Sequence, residues 1–375
     1  MSGRYGLTRQ VIALAWAVYL SATACAQPGS GPAEQHDRTV RIGVLSLFRP
    51  KELVLRRAVG SILQIELGES PVRVGETGAI LLPAAGDGVR VEGSRDFAAM
   101  EGGVLRAYAA SGRFWLEVPG KLRRQYSGTL EIQKHGQILE AIVTMPLEVA
   151  VASVVQAESP PGAGIEALKA QAVAARSFLV ARQTAHTDFD FCDTTHCQFL
   201  RSPPAAGSPA AEAARATAGL VLSWKEEGDA REHTLAAMYA RSCGGRSRTL
   251  GEIGVKSAGY PYYTVHCTYC SRHPEVWRRQ PAGAGPGSAT LPQTEGERLA
   301  FNRIHGWGAI PSIAGGDATT GAANDRDGLL TGRGIGHGIG LCQLGAVDMA
   351  RRGAGFAEIL AHYYPNTKLT TISEQ

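Results

Sequence analysis

From Thr39 onward the chain alternates apolar and polar residues over short distances. The runs TVRIGVLSL, SILQIEL, GVRVEG, RFWLEV and GTLEIQ each have the length of a strand, and Gly-, Pro- or polar-rich turns separate them. Residues 39–135 are therefore expected to be β-rich. The period then changes. Across MPLEVAVASVVQAESPPGAGIEALKAQAVAARSFLVAR, from Met145 to Arg182, apolar residues recur at helical spacing. They fall first at Leu147, Val151, Val154 and Val155, then at Ile165, Leu168, Ala172, Ala175 and Leu179, which predicts a second amphipathic helix. Pro160-Pro161 divides the two helices, because proline has no amide proton and clashes with the preceding turn. Pro146 suits the first helical position and Glu148 the first turn. The segment GTLEIQKHGQILEAIVTMPLE can form one hairpin that feeds straight into the first helix. Ala210 to Gly219 reads as a helix stopped by Gly219, Leu220 to Trp224 as a strand, and short helices are expected after Ala346 and Gly355. The fold class this predicts is α+β: a β-rich N-terminal region (39–135) joined to a mixed helical and strand core (136–372). An Ala-, Gly- and Pro-rich stretch at 278–298 is expected to be a flexible insertion.

Composition narrows the class. Apolar residues make up 44% of the 375 and charged residues 19%, as in ordinary globular proteins. Ahead of the β-rich region, Arg4 and Arg9 precede the apolar run Val11 to Leu20 and a cluster of small residues. This has the form of an export signal over residues 1–26 and is too short to span a bilayer. Ala22-Thr23-Ala24 and Ala24-Cys25-Ala26 both fit cleavage sites, and Cys25 also fits a lipid-anchored N-terminus; both routes stay open. Residues 27–38 read as a polar linker. The formal charge of +4 falls to +2 once the two N-terminal arginines are removed. With no basic run elsewhere, nothing argues for a nucleic-acid partner.

Candidate chemistry begins at Glu158. It lies eleven residues after Leu147, about 20° away around the helical wheel, and so on the apolar face near the helix C-terminus. Desolvation and the negative end of the helix dipole would both raise its pKa, as a general acid at neutral pH requires. A partly exposed carboxylate at a fraying helix end is the plainer reading. Two cysteines and two histidines, His186, Cys192, His196 and Cys197, fall within twelve residues. They offer a structural zinc set, and a Cys192–Cys197 disulfide is the rival in an oxidising compartment. Cys267 and Cys270 form a C-x-x-C whose default in an exported protein is a disulfide. Glycine alternates at Gly332, Gly334, Gly336, Gly338 and Gly340, allowing backbone and His337 to approach a ligand; the ending of a phosphate-binding loop is absent.

Several motifs in order resemble the stage II sporulation protein D family, which includes the amidase enhancer of cell-wall lytic systems. They are Pro-Leu-Glu with the Val-rich helix and Ala157-Glu158-Ser159-Pro160; Glu166 to Arg176; Asp193-Thr-Thr-His-Cys-Gln198; Ser242-Cys-Gly-Gly245; Gly336-His-Gly-Ile-Gly340 with Gln343-Leu-Gly-Ala346; and His362-Tyr-Tyr-Pro365. The resemblance covers about residues 135–370. Departures are Ser159 where the family often has Met, Ala150 where it has an aromatic, and Cys243 and Cys342 at commonly Ser-like positions. The resemblance implies a peptidoglycan lytic transglycosylase with Glu158 as single general acid/base. Gln171, Arg176, Tyr239, Ser242, His337, Gln343 and Tyr363 become substrate contacts, Arg176 alternatively a partner of the carboxylate. Cys243 and Cys342 fall in motifs meeting at one cleft, which makes them a candidate disulfide. The expected partners are glycan strands and a cell-wall amidase, in the periplasm or cell envelope, with membrane contact only through lipidated Cys25. No cofactor is expected for catalysis itself, and zinc only as a structural element. The competing readings are a non-catalytic glycan-binding amidase enhancer and a zinc-dependent hydrolase built on the His186–Cys197 cluster. A second carboxylate facing Glu158, for which Asp193 is the nearest candidate, would favour ordinary hydrolysis.

Overall fold

A computed structural model describes residues 38–67, 70–74, 79–83, 88–91, 97–99, 104–181, 186–195, 197–253, 259–279, 323–324 and 330–372. The expected export segment with Cys25, the linker up to residue 37, His196 and the insertion from residue 280 lie outside the described residues.

The β-rich region is one large sheet. Its strands are β1 (Thr39–Val44), β2 (Glu52–Arg57), β3 (Leu63–Leu67), β4 (Ser70–Arg73), β5 (Ala79–Pro83), β6 (Gly88–Val91), β7 (Phe97–Ala99), β8 (Val104–Val118), β9 (Leu122–His135) and β10 (Ile138–Pro146). These pair antiparallel in the order β1-β10-β9-β8-β2-β5-β6-β7, with the β3–β4 hairpin on β8. A two-residue strand, β11 (Phe191–Cys192), joins β1 in parallel and brings the cysteine loop to the sheet edge. Alternation along β9 buries Arg124, Tyr126, Leu130 and Ile132, and these face a core shared with Phe114 and Leu116 of β8.

The β9–β10 hairpin runs directly into α1 (Leu147–Glu158), as the hydrophobic pattern anticipates. Pro146 sits one residue earlier than expected. It ends the strand and caps the helix with extended ψ of 138°, instead of occupying the first helical position. The double proline breaks the chain as predicted: Ser159 is extended and α2 (Ile165–Ala181) begins beyond it. After β11 come α3 (Pro209–Ala216), capped by the Ser208 hydroxyl accepting from the Ala211 amide at 3.3 Å, and β12 (Leu220–Trp224). Then follow β13 (His233–Thr234), β14 (Tyr239–Ala240), α4 (Thr268–Arg272), β15 (Val276–Arg279), β16 (Ala323–Asn324), β17 (Leu330–Arg333) and β18 (Leu341–Cys342). Helices α5 (Gln343–Arg351) and α6 (Phe356–Tyr363) and strand β19 (Lys368–Thr371) close the chain. The fold is α+β.

Helix α2 departs from the expected amphipathic pattern. One face, with Leu168, Ala172, Ala175 and Leu179, joins the core under the large sheet. The other, with Ala167, Ala170, Val173 and Ala174, joins a second core formed with β12, α5 and α6. Alanines make this possible, because a helix with so little side-chain bulk can bury all its faces. Gln171, Arg176 and Ser177 on its middle turns are therefore inside the protein and must be satisfied there. The Arg176 guanidinium is fully buried and donates to both Glu148 oxygens at 2.8 and 2.6 Å, to the carbonyls of Ala214 and Leu220 at 3.1 Å each, and to the Thr217 hydroxyl at 3.4 Å. Ser177 accepts the Leu222 amide at 2.8 Å and donates to the Val173 carbonyl at 2.7 Å. Among the described residues no helix is long and apolar enough to cross a membrane.

The Arg176–Glu148 pair yields the first expected outcome. Arg176→Met strands a carboxylate and should cost about 3–5 kcal/mol in chemical denaturation, whereas Glu148→Gln/Arg176→Met should recover part of that loss. Equal stability of the single variant and the parent would show that the pair carries no weight in the fold.

Candidate functional site

A cleft of about 750 Å³ opens at the C-terminal end of α1. Its lining comes mainly from residues 155–163, 197–199 and 237–241, with Thr195, Arg201, Ile335, Gly336, His337 and Gln343. Glu158, the last residue of α1, is half-buried in it, and its Oε1 accepts the backbone N–H of Phe199 at 2.8 Å. The Glu158 carbonyl accepts from Gln343 Nε2 at 3.0 Å, and that same amide nitrogen lies 3.3 Å from Gln171 Oε1. One glutamine thus ties the end of α1 to α2 and to the start of α5. Tyr239 adds its phenol. Burial first, and then the nearby Glu158 carboxylate, push the phenol pKa well above 10, so the hydroxyl keeps its proton. Its approach to Gln171 falls short of hydrogen-bond geometry, and Tyr239 Oη and Gln171 Nε2 are buried without a hydrogen-bond partner among the described residues.

His337 lines the cleft but is 3% exposed and held from both sides. Its Nδ1 accepts the Ile339 amide at 3.0 Å, and the ring also bonds the Tyr239 backbone. This makes it a clamp on the loop more than a group presented to a ligand. The glycines around it likewise serve protein packing. Gly340 has φ of 66°, and a Cβ there would overlap the Met238 carbonyl. Without it the parallel pairing of β14 with β18, Tyr239 to Leu341 and Ala240 to Cys342, could not close.

The expected site residues separate into two groups. Glu158, Tyr239, His337 and Gln343 line the cleft, and Gln171 stands directly behind Gln343. Arg176, Ser242 and Tyr363 do not line it. Arg176 is the internal partner of Glu148, not of Glu158. Ser242 Oγ lies 3.4 Å from Cys270 Sγ, and Tyr363 Oη donates to Cys267 Sγ at 3.5 Å, both fully enclosed. Asp193 is also elsewhere. It is completely buried, with Oδ2 at 3.3 Å from Arg124 Nη1 and accepting the Leu45 amide at 3.3 Å, so it does not face Glu158. Among the described residues lining the cleft, Glu158 is the sole carboxylate. Three contributors were not singled out from sequence. The Phe199 amide has no side-chain signature; Arg201 lies outside the motifs, and Arg241, inside the Ala236–Ser247 run, was given no role.

The cysteines are arranged differently from expectation. Cys243, Cys267, Cys270 and Cys342 are reduced thiols. The expected Cys243–Cys342 and Cys267–Cys270 disulfides are not formed; instead all four sulfurs converge within 4.8 Å of one another. The two pairs, read separately from sequence, are one cluster because β18 pairs with β14 and α4 packs on α5. In the second group, His186 Nε2 lies 3.3 Å from Cys197 Sγ, and Cys192 Sγ lies 3.4 Å from Cys197 Sγ. Cys197 also lines the cleft.

Residues 135–224 match the family model for SpoIID, the stage II sporulation protein. An uncharacterised protein of Brachyspira hyodysenteriae is 24% identical over 268 residues, 64% of this chain and 71% of that relative. A role connected with the cell wall goes with the SpoIID domain. The matched segment runs from the end of β9 to β12 and contains Glu158, Gln171, Arg176 and the cysteine–histidine loop. Tyr239, His337 and Gln343 lie beyond it, so the cleft combines the SpoIID segment with C-terminal residues that fold back onto it.

His337 carries a pH dependence. Burial pushes its pKa down from 6.5 to about 4. The unfolded chain takes up this proton near pH 6.5 and the folded chain only near 4, so its contribution is complete above pH 6.5 and is lost as pH falls towards 4. The expected loss is on the order of 3 kcal/mol. Denaturant midpoints across that window should show it, with a flatter profile for His337→Gln. An equally steep profile in the variant would assign the acid sensitivity to other groups.

Proposed function

We propose that the protein is an exported cell-wall enzyme that cleaves peptidoglycan glycan strands by lytic transglycosylation, with Glu158 as its single acid/base. The observation that carries this reading is that Glu158 is the lone carboxylate among the described residues lining the cleft. Hydrolysis of a glycosidic bond ordinarily uses two carboxyl groups, one to protonate the leaving oxygen and one to serve water or the sugar carbon. Intramolecular transglycosylation needs one. Glu158 as the acid gives its proton to the glycosidic oxygen as the bond from the anomeric carbon of N-acetylmuramic acid breaks. The primary hydroxyl of that same sugar then attacks the anomeric carbon and loses its proton to the Glu158 carboxylate. The product is a 1,6-anhydro end, no water is consumed, and the acid is regenerated.

The other cleft groups fit this chemistry. The Phe199 amide fixes one Glu158 oxygen, Gln343 fixes the backbone beneath it, and the protonated Tyr239 phenol offers a donor beside the carboxylate. Arg201 and Arg241 on the lining suit anionic groups of the wall polymer. His186, Cys192 and Cys197 form a donor set suited to structural zinc, with His196 the fourth ligand of the sequence reading. A metal there would stiffen the loop that delivers the Phe199 amide. Action in the cell envelope and association with a cell-wall amidase belong to the same proposal.

The test is mass spectrometry of purified glycan strands incubated with mature protein and with Glu158→Gln. Anhydro-ended fragments from the parent, reduced at least about 100-fold in the variant, are the expected result. Reducing-end fragments would mean hydrolysis. Absence of fragments from both proteins, on strands with and without stem peptides, would favour the non-catalytic amidase enhancer.

A further inference from the structure

We propose that Cys243, Cys267, Cys270 and Cys342 bind one structural zinc ion as a tetrathiolate site, separate from the His186–Cys197 group. Their sulfurs lie within 4.8 Å of one another, with Cys270 and Cys342 Sγ at 3.4 Å. A zinc tetrahedron with Zn–S bonds of about 2.3 Å has sulfur–sulfur edges of about 3.8 Å, so these separations need only small adjustment around an ion. The ligands come from three places in the fold. Cys243 follows β14, Cys267 and Cys270 frame the start of α4 in a C-x-x-C, and Cys342 caps α5.

The surroundings favour thiolates. Cys342 Sγ accepts the amides of Cys243 and Gly345, each at 3.4 Å, and stands at the positive end of α5. Tyr363 Oη donates to Cys267 Sγ, and Ser242 Oγ touches Cys270 Sγ. Gly345 completes the shell, since a Cβ there would overlap both the Tyr363 hydroxyl and Cys267 Sγ. Four thiolates this close repel strongly without a cation, and a divalent ion removes that repulsion while releasing the thiol protons. Two disulfides would use the same sulfurs less effectively, because a Cys267–Cys270 bridge closes only a four-residue loop and constrains little chain. Cys243, Cys267, Cys270 and Cys342 are 0–3% exposed, so four protein ligands would complete the shell with no open position for substrate. The ion's role is therefore structural. It would hold Cys342, and with it the adjacent Gln343 that braces the Glu158 backbone.

The experiment starts from protein purified without reductant or chelator. In Cys192→Ser/Cys197→Ser, which removes the other sulfur pair, elemental analysis should find about one zinc per chain. Adding Cys270→Ser should lower that content about tenfold or more, and Tyr363→Phe should weaken zinc retention against a chromophoric chelator about tenfold. Because a ligand variant can misfold, the parent chain is also tested directly. Cobalt exchanged into it should give sulfur-to-cobalt charge-transfer bands, and alkylation of native protein followed by peptide mapping should find these four thiols protected but reduced. Mapped Cys243–Cys342 and Cys267–Cys270 disulfides would overturn the proposal. So would unchanged zinc content after Cys270→Ser, or zinc that vanishes completely with Cys192 and Cys197.

Discussion

An alanine-rich helix whose middle turns are buried on every face is the constraint from which the rest of this structure follows. With little bulk of its own, α2 lets the sheet with α1 and α3 approach from one side and β12, α5 and α6 from the other. Close approach also means that the polar side chains on the middle turns of α2 are sealed inside. Arg176, Ser177 and Gln171 are consequently bonding hubs, joining α2 to α1 and the α3–β12 turn, to β12, and to the first residue of α5 respectively. Packing alone would locate these elements only loosely. The polar bonds fix their register, because a buried donor that slides out of place loses its partner and gains no water in return.

The cleft inherits its precision from that arrangement. Glu158 is positioned by the end of a helix, by an amide of the loop after β11 and by Gln343 from the far end of the chain. The loop is in turn moored by the buried Asp193–Arg124 pair and the Leu45 amide. With its backbone and one carboxylate oxygen both held, Glu158 is restricted in orientation, and a preorganised group of this kind needs little rearrangement to act.

Much of this was legible in the sequence wherever pattern and local chemistry agreed. Alternation marked the strands, the double proline set the end of α1, Gly219 set the turn into β12, and Glu158 stood out as a carboxylate on an apolar face. The failures share a physical cause. Arg176, Ser242 and Tyr363 carry polar atoms that look available to a ligand, but tertiary packing turned them inward to other protein groups. The amphipathic reading of α2 failed because alanine is neutral in a periodicity argument, serving buried and exposed faces equally. Cys243 and Cys342 were matched through their motifs, and Cys267 with Cys270 through spacing. Their convergence depends on β14 meeting β18 across about a hundred residues, which no local pattern encodes. The amide of Phe199 is invisible to any reading of side chains.

Helix α1 carries two glutamates with unrelated duties. Glu148 at its start is bound by Arg176, and Glu158 at its end faces the cleft, ten residues and about 15 Å further along one rigid rod. Loosening the clamp at the first would let the rod tilt and displace the second. A screen that scores function alone would therefore rank Arg176 with the residues of the cleft, although it lies outside the cleft lining and wholly inside the protein. Genetic maps of such a protein will draw the cleft larger than it is, extended along the helix that acts as its lever.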